Sequence, residues 1–364
     1  MPCFEWPTRR PALLARGGAR RYNRTMRRSM VFRLLGVVLV IGIGSYSVFW
    51  WIAAGKIEAA ATAWRETAHE QKIDASWQGM RVTGYPFAFR LELTDVALKD
   101  SATNPPAELK APTLTASARP WNFRHAWLAV PDGLAATFGP DAAPLVRLSA
   151  EHGSGAVALS GDGGTTIWLS LYQAKADSLV TLGARAVHAW VVLPPGAPPT
   201  HQESGLAFAL EARDLALPAA PPGFSPTIDD LGFGVTMMGA VPPGPLRQAA
   251  AAWRDSGGTV ELDHLHLRWG DMEISGSGTL ALDNDLQPVG GFSGGVSGFD
   301  QLLNGLVASG RVKPGDARVA RLALAMLAKA GPDGRPEIAT SLTIQNGEMY
   351  LGPAKLGKAP RIDW

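Results

Sequence analysis

The sequence is poor in cysteine and in charged residues. Its one cysteine, Cys3, excludes a disulfide framework and any cysteine-rich zinc or iron–sulfur site. Charged residues make up 18% of the 364 positions and apolar residues 46%, a balance that excludes wholesale disorder. A chain of this length has room for two average domains, or for one large β-rich domain with an anchor.

Acidic residues are almost missing from the N-terminus. Residues 1–33 contain nine arginines and a single acid, Glu5. Because the whole chain has 34 Lys and Arg against 32 Asp and Glu, the remainder holds 25 basic and 31 acidic residues, a formal charge of −6. A slightly acidic body behind an arginine-rich tail is not typical of a nucleic-acid-binding protein, so no nucleic-acid partner is expected.

Charge is absent altogether from Leu34 to Ala54. At 1.5 Å per residue, a helix of this length spans roughly 30 Å, the thickness of the hydrocarbon core of a bilayer. Tyr46, Trp50 and Trp51 gather near its C-terminal end, and aromatic residues in that place are typical of a membrane interface. The sequence therefore predicts a transmembrane helix over residues 34–54, with these three side chains at the membrane surface.

The arginine-rich tail sets the expected orientation of this helix. Because arginines favour the cytoplasmic side, we expect a single pass through the inner (cytoplasmic) membrane, with residues 1–33 in the cytoplasm. The body of the chain, after Lys56, is then expected in the periplasm. A cleaved signal peptide is the alternative, but its apolar run would be only about 7–15 residues long.

Residues 55–75 are expected to form a stalk helix. Ile57, Ala61, Trp64 and Ala68 recur there at helical spacing. This stripe predicts either a stalk whose Trp64 face packs on the following domain or an amphipathic helix that rests on the membrane. The stripe is narrow, which favours the stalk.

After residue 75 the pattern changes to short alternating runs separated by Gly, Pro and Asp, as is typical of antiparallel strands. We expect a mainly β (α+β) fold, in which curved antiparallel β-sheets with a few short helices follow the transmembrane helix and stalk. Two β-rich halves are predicted, residues 76–193 and residues 200–364, with a seam in the proline-rich stretch Pro194–Pro199.

Three segments of the body have helical spacing instead. They are Pro245–Asp255, Phe299–Ala308 and Asp316–Lys329. The third is amphipathic, and its apolar face consists of Val319, Leu322, Ala323, Met326 and Leu327.

The first long strand of the body is expected to begin near Gly84-Tyr85-Pro86-Phe87. Pro86 cannot donate a ladder hydrogen bond, which predicts a strand start, an edge or a bulge at this position. Alternation from Phe87 to Leu93 then predicts that Phe87 and Phe89 both point into the core.

A strand motif occurs three times, at Leu91–Leu98, Leu210–Leu217 and Val260–Leu267. In each copy, the apolar positions change parity near a central aspartate. A continuous strand would therefore turn its apolar side chains to the other face of the sheet, so a bulge or bend is predicted at each aspartate. The copies represent either a duplicated motif or a common pattern of β-strands.

Candidate catalytic motifs lack the context that their chemistry needs. Gly291–Gly295 matches the G-x-S-x-G nucleophile elbow around Ser293, but the motif requires a strand–turn–helix and a later histidine, and the last histidine is His266. Gly352–Ala359 resembles a phosphate-binding loop that lacks the final Ser or Thr. We expect no enzymatic activity and no cofactor.

Candidate metal ligands are equally sparse. His264 and His266 lie two residues apart on a predicted strand, but no third ligand is specified by spacing. Glu66 and His69 form half of a di-iron motif without a second copy. No metal site is expected.

Several short motifs are shared with a known family. They run from Gly84-Tyr85-Pro86-Phe87 through Trp253-Arg254-Asp255-Ser256-Gly257-Gly258 and Leu267-Arg268-Trp269-Gly270 to Leu351-Gly352-Pro353. On these residues, the chain resembles the domain-of-unknown-function family 2125, which consists of exported, membrane-anchored proteins of Gram-negative bacteria. The family-motif residues are Gly84, Pro86, Phe87, Trp253, Gly257, Gly258, Trp269 and Gly270.

This resemblance implies a location in the cell envelope and no known enzymatic residues, because the family has no settled function. The anchor, the Gly-Tyr-Pro-Phe motif and the strands of the form Gly-x-Leu-x-Leu-Asp are also distantly similar to AsmA-type envelope proteins, which are anchored β-grooves for lipid.

Two functions of different classes are therefore expected. An apolar sheet face tethered beside the bilayer can bind or shield lipid acyl chains in cell-envelope maintenance. The alternative is a non-enzymatic structural or assembly partner of another envelope protein, bound through a sheet edge or a Trp-rich surface. The expected partners are the membrane and either lipid or another envelope protein.

Overall fold

The computed structural model describes residues 22–103, 105–331 and 334–364, with side chains from residue 32 onward. The chain divides into two compact units, residues 1–56 and residues 57–364. Most of the arginine-rich tail, Cys3 included, lies outside the described residues.

One long helix, α1 (Tyr22–Glu70), contributes to both units. Its stretch from Phe32 to Glu70 is long and apolar enough to cross a membrane. The stretch contains the whole predicted span and continues without a break into the predicted stalk. The stalk helix is shorter than predicted, because it ends at Glu70 and the first strand begins at Ile73. Apolar side chains of the span such as Leu39 and Val40 are exposed, which suits surrounding lipid and not water.

The second unit is built from nineteen strands and three further helices. The strands are β1 (Ile73–Ser76), β2 (Gly79–Thr83), β3 (Phe89–Asp100), β4 (Ala107–Arg119), β5 (Asn122–Val130), β6 (Leu134–Phe138), β7 (Val146–Ala150), β8 (His152–Leu159), β9 (Thr165–Asp177), β10 (Thr181–Leu193), β11 (Ser204–Ala216), β12 (Thr227–Met238), β13 (Val260–Trp269), β14 (Met272–Leu282), β15 (Pro288–Ser297), β16 (Lys329–Ala330), β17 (Pro336–Gln345), β18 (Glu348–Leu351) and β19 (Ala354–Lys358). The helices are α2 (Leu246–Asp255), α3 (Phe299–Ala308) and α4 (Pro314–Leu327).

All nineteen strands form one antiparallel sheet. Four positions hold two short strands end to end, because β1 and β2 both pair with β3, β5 and β6 with β4, β7 and β8 with β9, and β16 and β18 with β17. The strands therefore occupy fifteen positions across the sheet. Strands β1 and β2 form the first edge, and β19 forms the last. The mainly β fold with few helices is as predicted.

The proline-rich stretch Pro194–Pro199 lies in the loop between β10 and β11. These two strands pair along most of their length, from Gly183 with Ala216 to Val192 with Ala207. The sheet thus runs without interruption through both sequence halves.

The three aspartate-centred motifs bend where the change of parity predicts it. Asp95 and Asp214 have left-handed backbone, with φ of 49° and 50°. At Asp263 the pairing of β13 with β14 shifts its register. The bend keeps apolar side chains on one face, since Leu93 and Val96 are both buried on either side of Asp95.

The C-terminal part of α1 lies beside the first edge of the sheet. Glu58 Oε1 accepts a hydrogen bond from the backbone N–H of Val82 in β2 at 3.2 Å. Within the predicted stripe, Ala68 is buried and Ile57 and Ala61 are half-buried, whereas Trp64 is exposed, so this face of the helix packs but not through the Trp64 ring. The Glu58 contact occupies one N–H of the edge strand, a group that would otherwise be open to pairing with another chain.

The three helices of the body lie where the sequence predicts them. Helix α2 begins one residue late, α3 has the predicted bounds, and α4 begins and ends two residues early. The apolar face of α4 is not packed against the sheet: Val319, Leu322 and Met326 are exposed, and Ala317 is the buried residue of this helix.

One prediction for the first long strand is wrong. Phe89 is 3% exposed, as expected, but Phe87 is 72% exposed and does not point into the core. The N–H groups of Phe87 and Ala88 both donate to the Gly84 carbonyl, at 3.1 and 2.9 Å, which closes a turn. Pro86 lies in this turn between β2 and β3, outside any strand, and the alternation begins only at Phe89.

We expect Phe89→Ala to lower the free energy of unfolding by about 3–5 kcal/mol, because it removes a buried ring. Phe87→Ala should change it by less than about 0.5 kcal/mol, because the ring is exposed. Denaturant titration of the full chain in detergent, followed by circular dichroism, measures both. Equal losses in the two variants would contradict this placement of the rings.

Candidate functional site

One row of side chains crosses the sheet at right angles to the strands and is apolar over almost its whole length. It runs through thirteen positions from β2 to β17, and its members are Val82, Leu91, Ala116, Leu128, Gly155, Leu169, Ala189, Leu210, Phe233, Leu265, Gly276, Gly294 and Thr340. Only Thr340, at the far end, carries a polar group. At a strand spacing of about 4.8 Å, the row is roughly 58 Å long. We call the face that carries it the apolar face.

The neighbouring row, one residue along each strand, points to the opposite side of the sheet. It is mostly polar or small, and its members are Arg81, Glu92, Thr115, Ala129, Ser154, Ser170, His188, Glu211, Gly232, His266, Ser275, Gly295 and Ala339. The two rows together show that the sheet has one apolar and one polar side at these positions.

Large aliphatic side chains on the apolar face remain open to solvent. Leu169, in the middle of the row, is 43% exposed, and Leu128 is exposed as well. Among the described residues, no large side chain is less than 2% exposed. A closed two-layer core would bury such leucines almost completely. The sheet is therefore a single layer in this region, with its apolar face uncovered at these leucines.

The apolar face is hollowed into a pocket of about 290 Å³ between β13 and β17. Its apolar lining includes Leu262, Leu265 and Phe292. Gly276 and Gly294 face each other across β14 and β15 in this lining, and their missing side chains leave room above the sheet. A small apolar pocket of this kind suits part of a hydrocarbon chain better than it suits a polar ligand.

Gly278 and Phe292 form a cross-strand pair beside this pocket. A methyl group on Gly278 would lie 2.4 Å from Phe292 Cδ1 and 2.5 Å from the Gly291 carbonyl oxygen. By contrast, a methyl group on Gly291, one strand away, would meet no atom within 4 Å. The Phe292 ring therefore occupies the space that only a glycine at position 278 leaves free.

The family-motif residues lie in three separate places and do not form one site. Gly84, Pro86 and Phe87 form the turn before β3. Trp253 is buried at the end of α2, where its Nε1 donates to the Met238 carbonyl at 2.8 Å.

The glycines that accompany the two motif tryptophans have backbone roles. A Cβ on Gly258 would lie 2.2 Å from the Trp253 ring, and Gly257 has a φ of 85°. Trp269 Nε1 donates to the Ser225 carbonyl at 3.0 Å, and the Gly270 N–H donates to Asp229 Oδ2 at 2.7 Å. Both motifs thus fix connections at the ends of the strands.

The three predicted interface residues of α1 differ in exposure. Trp51 is exposed, Tyr46 is half-buried and Trp50 is buried. Of the three, Trp51 is thus the most open to a surrounding membrane interface.

Ser293, His264 and His266, which belong to the candidate catalytic and metal motifs, all lie on strands. Ser293 lies in the middle of β15, where it pairs with Ser277 and Ser341, so no nucleophile elbow exists there. His264 and His266 lie on β13. Within the ranges that the structure describes, no group of three His, Cys, Asp or Glu side chains comes together.

Local hydrogen bonds lower the pKa of two loop carboxyl groups, those of Asp141 and Asp162. Lys99 donates to Asp141 at 2.6 Å, and this bond lowers the pKa of Asp141. The Ser160 hydroxyl and the Gly164 N–H lower the pKa of Asp162 in the same way. Both carboxyl groups are exposed, unlike the buried acid–base pairs that are typical of catalytic sites.

Sequence reasoning did not single out the exposed leucines of the apolar face. Leu128 and Leu169 stand in ordinary alternating runs, and only the register across β5, β8 and β9 brings them into one row. The alternation itself was the available signal, but it is the same for a closed core and for an open face.

Comparison with known proteins identifies the family of the chain but no individual relative. The family model described as "Uncharacterized protein conserved in bacteria (DUF2125)" matches residues 50–360, which confirms the resemblance that the motifs indicated. No curated protein and no solved structure matches the chain. The similarity to AsmA-type proteins therefore has no support beyond the sequence features.

We expect Gly278→Ala to lower the free energy of unfolding by about 1–3 kcal/mol, because the added methyl group meets both a ring and a backbone carbonyl. Gly291→Ala is the matched control on the adjacent strand and should change it by less than about 0.5 kcal/mol. Denaturant titration of the full chain in detergent measures the difference. A Gly278→Ala variant as stable as the control would disprove the close Gly278–Phe292 pair.

Proposed function

The chain belongs to the DUF2125 family of uncharacterised proteins conserved in bacteria, and from that premise we propose that it is a membrane-anchored protein whose β-sheet binds or shields lipid acyl chains in the periplasm. The observation that carries this proposal is the apolar row of thirteen positions, together with its solvent-exposed leucines. Water-exposed leucines in the middle of an apolar surface are typical of a binding surface, not of a folded core.

The energy available from such binding is substantial. Each methylene group that leaves water for an apolar surface contributes about 0.8 kcal/mol. Ten methylenes would contribute about 8 kcal/mol, which corresponds to a micromolar Kd before the cost of ordering the chain is subtracted. The row is about twice as long as the roughly 30 Å hydrocarbon core of a bilayer, so its length does not limit the acyl chains that it can accept.

The arginine distribution supports a periplasmic body. The nine arginines of residues 1–33 precede the span, and the rest of the chain is slightly acidic. By the positive-inside rule, the tail stays in the cytoplasm and the sheet faces the other compartment. A periplasmic sheet beside the inner membrane has lipid within reach.

A catalytic role is not part of this proposal. Ser293 is a strand residue that pairs with Ser277 and Ser341, and none of the thirteen members of the apolar row has an ionisable side chain. The protein acts by binding, and the chemistry it offers is the exclusion of water from hydrocarbon.

Photo-crosslinking in cells tests the acyl-chain site directly. A benzophenone amino acid replaces Leu169 on the apolar face, and the matched control replaces Trp168, which is adjacent, is also exposed and points to the other side. We expect lipid adducts by mass spectrometry from position 169 and not from position 168. Equal lipid labelling at the two positions, or none at 169, contradicts acyl-chain binding.

Reporter fusions test the topology. A reporter that is active only outside the cytoplasm should work when it is fused after Trp364, and it should fail when it is fused before Arg27. Activity in the reverse pattern would place the body in the cytoplasm. Release of the body as a soluble periplasmic fragment would indicate a cleaved signal in place of an anchor.

A second candidate function is the assembly partner, and the exposed apolar face of α4 favours it. Val319, Leu322 and Met326 lie at helical spacing and are all exposed, as in a helix that docks into a groove of another protein. In the same crosslinking experiment, a benzophenone at Met326 that yields a protein adduct, with no lipid at position 169, would replace the acyl-chain proposal with this one.

A further inference from the structure

Two turns meet at one end of the sheet and carry exposed aromatic residues. The first turn, Gly84–Ala88, leads into β3, and the second joins β4 to β5. The two turns are adjacent because Phe89 pairs with Ala118 at this end of the β3–β4 ladder. The rings of Phe89 and Phe123 also stack, with centroids 5.8 Å apart.

We call Tyr85, Phe87, Trp121 and Phe123 the aromatic tip. Phe87 is 72%, Trp121 63% and Phe123 56% exposed, and Tyr85 is exposed as well. Four large aromatic side chains, three in the two turns and Phe123 at the start of β5, form an apolar patch of the kind that marks an interaction site. The buried ring at this end of β3 is Phe89, on which Phe123 stacks, and burial does not account for Phe87 or Trp121.

Chain length brings this end of the sheet to the membrane. The uncharged run ends at Ala54, and Glu58, four residues later, is hydrogen-bonded to the Val82 N–H of β2. Four residues extend over at most about 14 Å, and the Glu58 side chain with its 3.2 Å hydrogen bond adds about 8 Å, so the Val82 nitrogen lies within roughly 22 Å of the end of the span. Val82 is two residues from the Gly84 turn, and this bound holds for any orientation of the span.

The charge of these turns suits a phospholipid surface. From Gly84 to Arg90 and from Ser117 to His125, the sequence contains Arg90, Arg119 and Arg124 and no acidic residue. Basic side chains near the surface are attracted to anionic headgroups, and aromatic rings are enriched at the level of those headgroups.

We propose that the aromatic tip inserts into the headgroup region of the bilayer that α1 crosses, on the side where the sheet lies. The occupant of this surface is therefore an anionic phospholipid membrane and not a protein. This inference rests on the proposed anchoring by α1, but not on acyl-chain binding. The tip is a second attachment point, and it holds one end of the sheet against the membrane.

Depth-dependent fluorescence quenching tests the proposal on the full chain in vesicles of phosphatidylethanolamine and phosphatidylglycerol. In a Cys3→Ser background, single variants Phe87→Cys and Trp121→Cys carry a bimane label. The matched control is Leu179→Cys, a fully exposed apolar residue in the β9–β10 turn at the opposite end of the strands. Ile43→Cys, in the middle of the span, reports anchoring.

Lipids with a nitroxide near the headgroup should quench the labels at positions 87 and 121 and shift their emission to the blue, and the label at 179 should show neither effect. Replacing phosphatidylglycerol with zwitterionic lipid should reduce the quenching at 87 and 121. Labels at 87 and 121 that behave like the label at 179 overturn the aromatic tip, while quenching of the Ile43 label by a deep nitroxide still shows anchoring. Loss of quenching at Ile43 overturns the anchor and the tip together.

Discussion

The alternation of side chains between an apolar and a mostly polar side of the sheet is the constraint on which the rest of the structure depends. In a single layer of strands, no second sheet covers an apolar side chain that points to the wrong side. Each strand must therefore keep its apolar positions on the same side as its neighbours. A slip of one residue in any strand would exchange its two faces and interrupt the apolar row. Asp95 and Asp214, whose backbone is left-handed, serve the same constraint. Each lies at a bend where the apolar positions switch between odd and even numbers, and the bend keeps the apolar side chains on one side of the sheet.

An open single-layer sheet is stabilised differently from a closed sandwich. Most of its strands pair with their neighbours in sequence, so long-range order is built from local hairpins. Its apolar side chains are only partly removed from water, and the free energy of further burial is available to a ligand. The glycines of β14 and β15 leave part of the apolar face without side chains, which gives a ligand room at the sheet surface.

Sequence reasoning went furthest where a local pattern decides the structure. The apolar helix follows from an uncharged run, and the three helices of the body and the bends at Asp95 and Asp214 follow from periodicity within a few neighbouring residues. Phe87 was misplaced because its turn is closed by hydrogen bonds to Gly84, and alternation alone does not reveal where a strand begins. The exposure of Leu169 was beyond the sequence for another reason: whether an apolar face is covered depends on elements far away in the chain. The stripe on α4 was predicted as an amphipathic face, but periodicity does not say what packs against it.

The position of α1 limits how copies of this chain can associate. A sheet grows from copy to copy into a fibre only if each copy offers two unpaired edges. Here the first edge is engaged by the chain's own helix, where Glu58 holds the Val82 N–H. The last strand, β19, is short and carries Lys355 and Lys358, which discourage pairing. Two copies joined through β19 would each present to a third copy an edge whose Val82 N–H is already bonded to Glu58, and further growth along β2 would have to break that bond.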